Sequence, residues 1–391
     1  MPALDVLRAC AVLAVFVQHL GDRFRPLVIE HASSSLPAWT VAWFQSLLEH
    51  GHWGVDLFFV LSGFTLGMGF VRDHDRGRVR PAREFFLRRA ARILPAFYLA
   101  VLVHLLARPA LLHAPHLPAS FAVHALVLQG YLSPGGIVLI GASWSLTTET
   151  HFYLAAPWLA RRLLARDDSS HEPLRRLARL AAVALVVCVP VWLLRGVLHD
   201  YALGPQAPAG LLELSQRRWA VCRIDQFVLG LAAAVAHSRL RNSAPARRAS
   251  WTVAALALGT LALAAPLDRL TWPHRGGGPA YVLVSLALTA LVLGCALLPP
   301  GGRARFALAP LSFLGVVSYG FFLYHQLTIE LCSTWIPAAG GAPSWTSLAA
   351  TAVPALVVAT LAGWGSWVAV ESPALAWASK SRASRRVVAG R

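Results

Sequence analysis

The sequence predicts an all-α, polytopic integral membrane bundle of about ten transmembrane helices, plus one re-entrant or outer-surface element, with both termini cytoplasmic. Three observations carry this. Apolar residues make up 57% of the 391 residues and charged residues 14%, where a soluble domain has about 25% charged. Mean hydropathy is +0.56. The cations, all arginine apart from Lys380, gather in runs between apolar segments, as in cytoplasmic loops under the positive-inside rule. An ordinary soluble enzyme, a disordered chain and a nucleic-acid binder are thereby excluded. The net charge of +17 is read as orientation against acidic headgroups, so membrane lipid is the expected partner and nucleic acid is not.

Apolar stretches run at about 6–22, 53–71, 93–112, 144–164, 178–198, 219–237, 251–267, 280–298, 312–335 and 347–370, with a broken one at about 119–142. A span needs about 20 such residues. No cleavable signal peptide is expected, so the first stretch is retained as a span. The arginine runs at 72–92, 161–179, 239–248 and Arg303/Arg305, with the tail 380–391, are placed in the cytoplasm. The segments 23–50, 199–216 and 336–346 hold few cations and are placed outside. Between His113 outside and Arg161 inside the chain must cross an odd number of times. The stretch at 144–164 supplies one crossing. The stretch at 119–142, interrupted by Ser133-Pro134-Gly135-Gly136, is then not a crossing, and must be buried in protein or line a cavity. One transmembrane domain over 1–375 and a basic cytoplasmic tail over 376–391 are expected. Cys10, Cys188, Cys222, Cys295 and Cys332 form no CxxC and read as small buried hydrophobes, with no metal site or disulfide framework.

Ionisable residues within spans are costly and mark candidate sites. Arg8 and His19 are eleven residues apart on the first span, about 16 Å along a helix and close to one face. His19 is an interfacial histidine bonded to backbone or a functional one; Asp5 is placed to pair with Arg8. Asp56 opens the second span, as a helix cap or a site carboxylate. Ser62-Gly63 reads as a point of close helix approach. Arg89 and Arg92 share a helix face, a pair of guanidinium forks suited to phosphate from a headgroup or a phosphorylated cofactor. Glu149 lies one turn into its span, placed by topology at the level of His19 and Asp56, where a carboxylate can orient an imidazole. Arg223 and Asp225 are expected to pair with neighbouring helices. His325 sits deep in a span, and Glu371-Ser372-Pro373 reads as a helix stop. Forks inward and a histidine with carboxylates outward suit a long, thin phosphorylated donor such as acyl-CoA.

At these residues the sequence resembles the membrane-bound acyltransferase 3 family. Leu4-Asp5-Val6-Leu7-Arg8-Ala9 with His19 is similar to its opening motif, and Gly54 to Gly63 to its second. Arg88-Arg89-Ala90-Ala91-Arg92-Ile93-Leu94-Pro95 is similar to its arginine motif. Trp144-Ser145-Leu146-Thr147-Thr148-Glu149, followed by Tyr153, resembles its tryptophan–serine–leucine segment. Arg223 to Gly230, Ser318 to His325 and Glu371 to Pro373 match weaker signatures. The resemblance implies an acyltransferase for groups other than aminoacyl groups, in the bacterial cytoplasmic (inner) membrane. It implies transfer of an acyl group, usually acetyl, from acyl-CoA as substrate, with no bound cofactor, to a hydroxyl of a carbohydrate or glycosylated small-molecule acceptor. His19 (as base or acyl carrier) and Glu149 are then catalytic. Arg8, Arg89 and Arg92 bind the donor. Asp5, Asp56, Trp144, Ser145, Tyr153, Arg223 and His325 support them. Thr150 and His151 stand where the family often has a second acid and glutamine, and Gln326 where an aromatic is common; both bear on acceptor choice. No hydrolase-like extra domain is seen, so an acyl hand-off is expected to end within the membrane domain or on another protein. The rival reading is a transporter or flippase for a glycan or lipid-linked precursor, since intramembrane charge serves those too.

Overall fold

A computed structural model describes residues 1–35, 37–78, 81–114, 116–131, 138–164, 173–202, 220–271, 280–298, 308–335 and 344–389. Every regular element among them is helical. Among the described residues six helices are long and apolar enough to cross a membrane, within Pro2–Arg25, His50–Asp75, Ala82–Ala107, Leu180–Leu198, Ala244–Leu267 and Trp345–Lys380. Their outer faces carry exposed Leu106, Val186, Leu193, Leu256, Leu263 and Val353. Apolar side chains facing outward along spans of this length belong to an integral membrane protein.

The chain divides into two compact units, Met1–Gly77 with Ser145–Val316, and Arg78–Trp144 with Val317–Arg391. The first contains α1 (Pro2–Ser35), α2 (Ala38–Glu49), α3 (Trp53–Asp75), α6 (Trp144–Leu164, from Ser145), α7 (Pro173–Ala202), α8 (Ile224–Leu240), α9 (Ala244–Thr271) and α10 (Ala280–Leu297). The segment 23–50, placed outside by its few cations, is largely helical: α1 runs on through a kink at Phe24 (φ −105°, ψ 16°) and α2 follows. The tightest crossing is α3 on α8. A β-carbon on Gly63 would lie 2.2 Å from the Phe227 carbonyl oxygen, and one on Gly230 2.2 Å from that of Val60. Only hydrogen fits at either position, so the backbones meet through small residues, the usual means of packing helices in lipid. Phe227 is also stacked on Phe152 of α6 (4.2 Å) and tilted against Phe59 of α3 (4.7 Å). The core then spreads through Leu4, Leu7, Leu57, Leu61, Phe64, Ala234, Val284 and Leu288.

The second unit contains α4 (Ala82–Ala107), α5 (Leu117–Ala125), most of α11 (Ala309–Trp335), α12 (Trp345–Ser366) and α13 (Ser372–Ala389). The expected non-crossing stretch is a nine-residue helix, α5, with 3-10 turns at Gln129–Tyr131 and Gly141–Ser143; the Ser133–Gly136 break lies outside the described residues. Its backbone is tied down by buried side chains. The Leu139 N–H donates to His124 Nε2 (3.2 Å), and His124 Nδ1 meets the Ser120 carbonyl (2.7 Å); burial holds this imidazole below its ordinary range. Gln129 donates to the Ser143 carbonyl (2.7 Å), and the Ala142 N–H donates to Gln326 (2.8 Å). Gln326, a departure from the family pattern, thus holds the turn that leads into α6.

Glu371 does not stop a helix. It closes a wide π-type turn, Trp367–Glu371, that joins α12 to α13 without a break. The extra residue in such a turn re-aims its side chain. Glu371 is turned inward, 1% exposed.

Candidate active site

One polar assembly is sealed inside the first unit. Asp56, 1% exposed, accepts from Arg223 Nη1 (2.8 Å), from Gln226 Nε2 (3.0 Å) and from the Tyr281 hydroxyl. Arg223 also donates to the Tyr281 oxygen, and its guanidinium lies 4.7 Å from the ring centroid. Asp225 accepts from Arg195 (2.9 Å), Trp192 Nε1 (2.8 Å) and Ser285 (3.1 Å). Arg195 donates to the Cys222 carbonyl (3.0 Å through Nε) and lies 4.8 Å from the same Tyr281 ring. Two carboxylates thus balance two guanidiniums around one tyrosine. Burial of such charges is tolerated only when they are paired and hydrogen-bonded.

Asp56 is therefore the centre of a buried network, not the cap that its place at a helix start suggested; α3 has no side-chain cap. The pairing expected of Arg223 and Asp225 is met, with Arg195 and Tyr281 as partners that sequence reading passed over. Arg195 could have been found: it interrupts the apolar run at 178–198 and so falls under the rule for charges within spans. Tyr281 carries no such signal.

A second group is partly open. Glu149, on α6, accepts from Ser62 of α3 (2.7 Å) and from the hydroxyl of Tyr153 one turn on. Ser62, read from sequence as packing only, is thus a partner of the acid. Along the same face of α3, Arg8 donates to Thr65 (3.1 Å) and is held by Asp5 (2.6 Å). His19, half-buried, meets the Val15 backbone and the charge of Asp22. Asp22 is bridged by Arg25 (2.7 Å) to Glu49 (2.7 Å).

The three outer residues do not share one level. A β-carbon on Gly51 would touch Ala14 and Gln18, and one on Gly54 would touch Ala11. Gln18, and with it His19, therefore belongs beside the start of α3. Ser62 lies eleven residues beyond Gly51, about 16 Å at the helical rise, and carries Glu149 with it. Packing between α1 and α3 sets this offset, and topology counting has no access to it. His151 meets the Thr147 carbonyl within its own helix (2.7 Å).

In the second unit Arg92 is ion-paired to buried Glu371 (3.3 Å) and lies over the Trp367 ring (5.2 Å). Arg89 is half-buried on the same helix, and Arg88 is bonded to Glu84 (2.8 Å). His325 is fully buried, its Nδ1 on the Phe322 carbonyl (2.7 Å) and its ring stacked on Phe321 (6.2 Å). Trp144 opens α6 and Ser145, next to it, is buried. No cluster of metal-ligating side chains occurs among the described residues.

Residues 1–364 match a family model described as an acyltransferase domain. The exopolysaccharide production protein ExoZ of Rhizobium meliloti (strain 1021) is 28% identical over 366 residues, covering 86% of this chain and 92% of ExoZ. The O-acetyltransferase OatA of Staphylococcus aureus (strain NCTC 8325 / PS 47) is 22% identical over 353 residues, covering 86% of this chain and 51% of OatA. The chain spans about half the length of the staphylococcal relatives it matches. No solved structure matches it.

Proposed function

Since the chain belongs to the acyltransferase 3 family, we propose that it is a membrane O-acyltransferase of the bacterial inner membrane that moves an acyl group, acetyl first, from cytoplasmic acyl-CoA to a carbohydrate hydroxyl. The observation that carries this is the division of its intramembrane charges into sealed and open sets. Asp56, Asp225, Arg195, Arg223 and Tyr281 are 0–1% exposed and can only hold the bundle. Arg8, Glu149 and His19 keep exposed surface and can meet a substrate.

His19, polarised by Asp22, takes the proton of the acceptor hydroxyl as its oxygen attacks the thioester carbonyl. The carbon–sulfur bond then breaks, and the imidazolium returns the proton to the departing thiolate. Glu149, held by Ser62 and Tyr153, and Arg8 flank the donor arm as it passes along α3. A covalent acyl-imidazole would instead carry the group between donor and acceptor. The name of ExoZ favours a surface polysaccharide as acceptor. Ten crossings with both termini cytoplasmic complete this reading.

The test is transfer of labelled acetyl from acetyl-CoA by purified protein in detergent, with no gradient present. His19→Ala and His19→Gln should abolish transfer while elution volume and melting temperature stay as in the wild type. Full activity in either would remove His19 from the centre. Absence of any transfer by the wild type, with gradient-driven glycan movement in vesicles, would favour the flippase reading.

A further inference from the structure

The arginines of this chain differ in what they face. Arg8, Arg25, Arg88, Arg92, Arg108, Arg195 and Arg223 each meet a carboxylate. Among the described residues Arg72, Arg76 and Arg241 form no ion pair. These three converge on one cavity of about 320 Å³, at the C-terminal turns of α3 and α8, lined also by Met68, Val71, Asp75 and Ser238. A helix C-terminus attracts cations, which accounts for each arginine singly. It does not account for three unpaired guanidiniums around an open cleft with one carboxylate. Guanidinium forks there are suited to phosphate oxygens.

The cleft also has an approach to the open set of site residues. Ser62, Thr65, Gly69, Arg72 and Arg76 lie within about 80° of one another around α3, at 100° per residue. Thr65 is exposed, and a β-carbon on Gly69 would meet nothing within 4 Å. From Arg72 to Ser62 is ten residues, about 15 Å. A small-residue track thus leads from the three arginines, past the Arg8–Thr65 contact, to Glu149.

We propose that this cleft, formed by Arg72, Arg76 and Arg241, binds the phosphates of the nucleotide end of the acyl donor, with the thioester arm lying along the Gly69–Thr65–Ser62 face of α3. This rests on the acyl-CoA reading above, and it moves the main phosphate contact away from Arg92, whose guanidinium is already held by Glu371.

The test is calorimetric binding of adenosine 3′,5′-bisphosphate to the full chain in neutral detergent. The wild type should bind, more weakly as salt is raised. The triple variant Arg72→Gln/Arg76→Gln/Arg241→Gln should lose at least about tenfold in affinity, about the loss of a single charge-assisted contact. A control, Arg239→Gln/Arg247→Gln/Arg248→Gln, removes equal charge outside the cleft and should change affinity by less than about threefold on the same scale. Equal losses in both triples, an unaffected cleft triple, or no binding by the wild type would overturn the proposal. If acyl-CoA still supports transfer in the latter two cases, only the cleft assignment falls; if it does not, the donor reading falls too. Binding in nanodiscs separates nucleotide from headgroup. Displacement of the bisphosphate on changing phosphatidylcholine to phosphatidylglycerol would give the cleft to lipid and overturn its assignment to the donor. Retained binding supports it.

Discussion

Replacing Asp56 by alanine removes the acceptor of three donors at once. Arg223 and Asp56 are each 1% exposed, so water cannot take the place of the lost carboxylate. The Arg223 charge, the Gln226 amide and the Tyr281 hydroxyl are left facing a void. Breaking a buried ion pair from one side costs about 3–5 kcal/mol, a large part of the 5–15 kcal/mol typical of a folded domain. For a chain of 391 residues that corresponds to a fall in apparent melting temperature of about 4–6 °C. Tyr281→Phe removes one hydroxyl and keeps the ring between Arg195 and Arg223, so it should cost less, about 1.5–3 kcal/mol. The double replacement Asp56→Leu/Arg223→Met removes both charges and should be milder than Asp56→Ala, because no unpaired ion is left. The assay is intrinsic-fluorescence melting in one detergent at a fixed scan rate, with elution volume as a check on folding. If Asp56→Ala melts within about 2 °C of the wild type, or the double variant is worse than either single, the reasoning about a sealed, balanced network is wrong.

Two further outcomes are expected. Gly230→Ala should force α3 and α8 apart and cost about 1–3 kcal/mol, seen as lower yield and melting temperature, whereas Gly69→Ala, which faces open space, should be silent in the same melt. Glu149→Gln keeps a similar shape but loses the charge held by Ser62 and Tyr153. It should lower kcat at least about tenfold, the effect of one charge-assisted contact, with little change in melting temperature; unchanged initial rates would take Glu149 out of the chemistry.

Much of this protein is legible in the chain alone because lipid imposes a strict code. A span must be long, apolar and internally hydrogen-bonded, so the helical class, the positions of the six membrane-length helices among the described residues and the weakness of the 119–142 stretch follow from hydropathy and charge. The same code flags any charge within a span, and so Arg8, Asp56, Glu149 and Arg223 could be singled out. What it does not contain is which charge meets which. Asp56 and Arg223 are 167 residues apart in the chain and Glu149 and Ser62 87, and their pairing depends on helix rotation, tilt and the close crossing at Gly63 and Gly230. Those are set by side-chain packing across elements, which no local pattern records. For that reason the folded bundle alone decided which charges are sealed, which keep exposed surface, and that Glu371 turns inward instead of ending a helix.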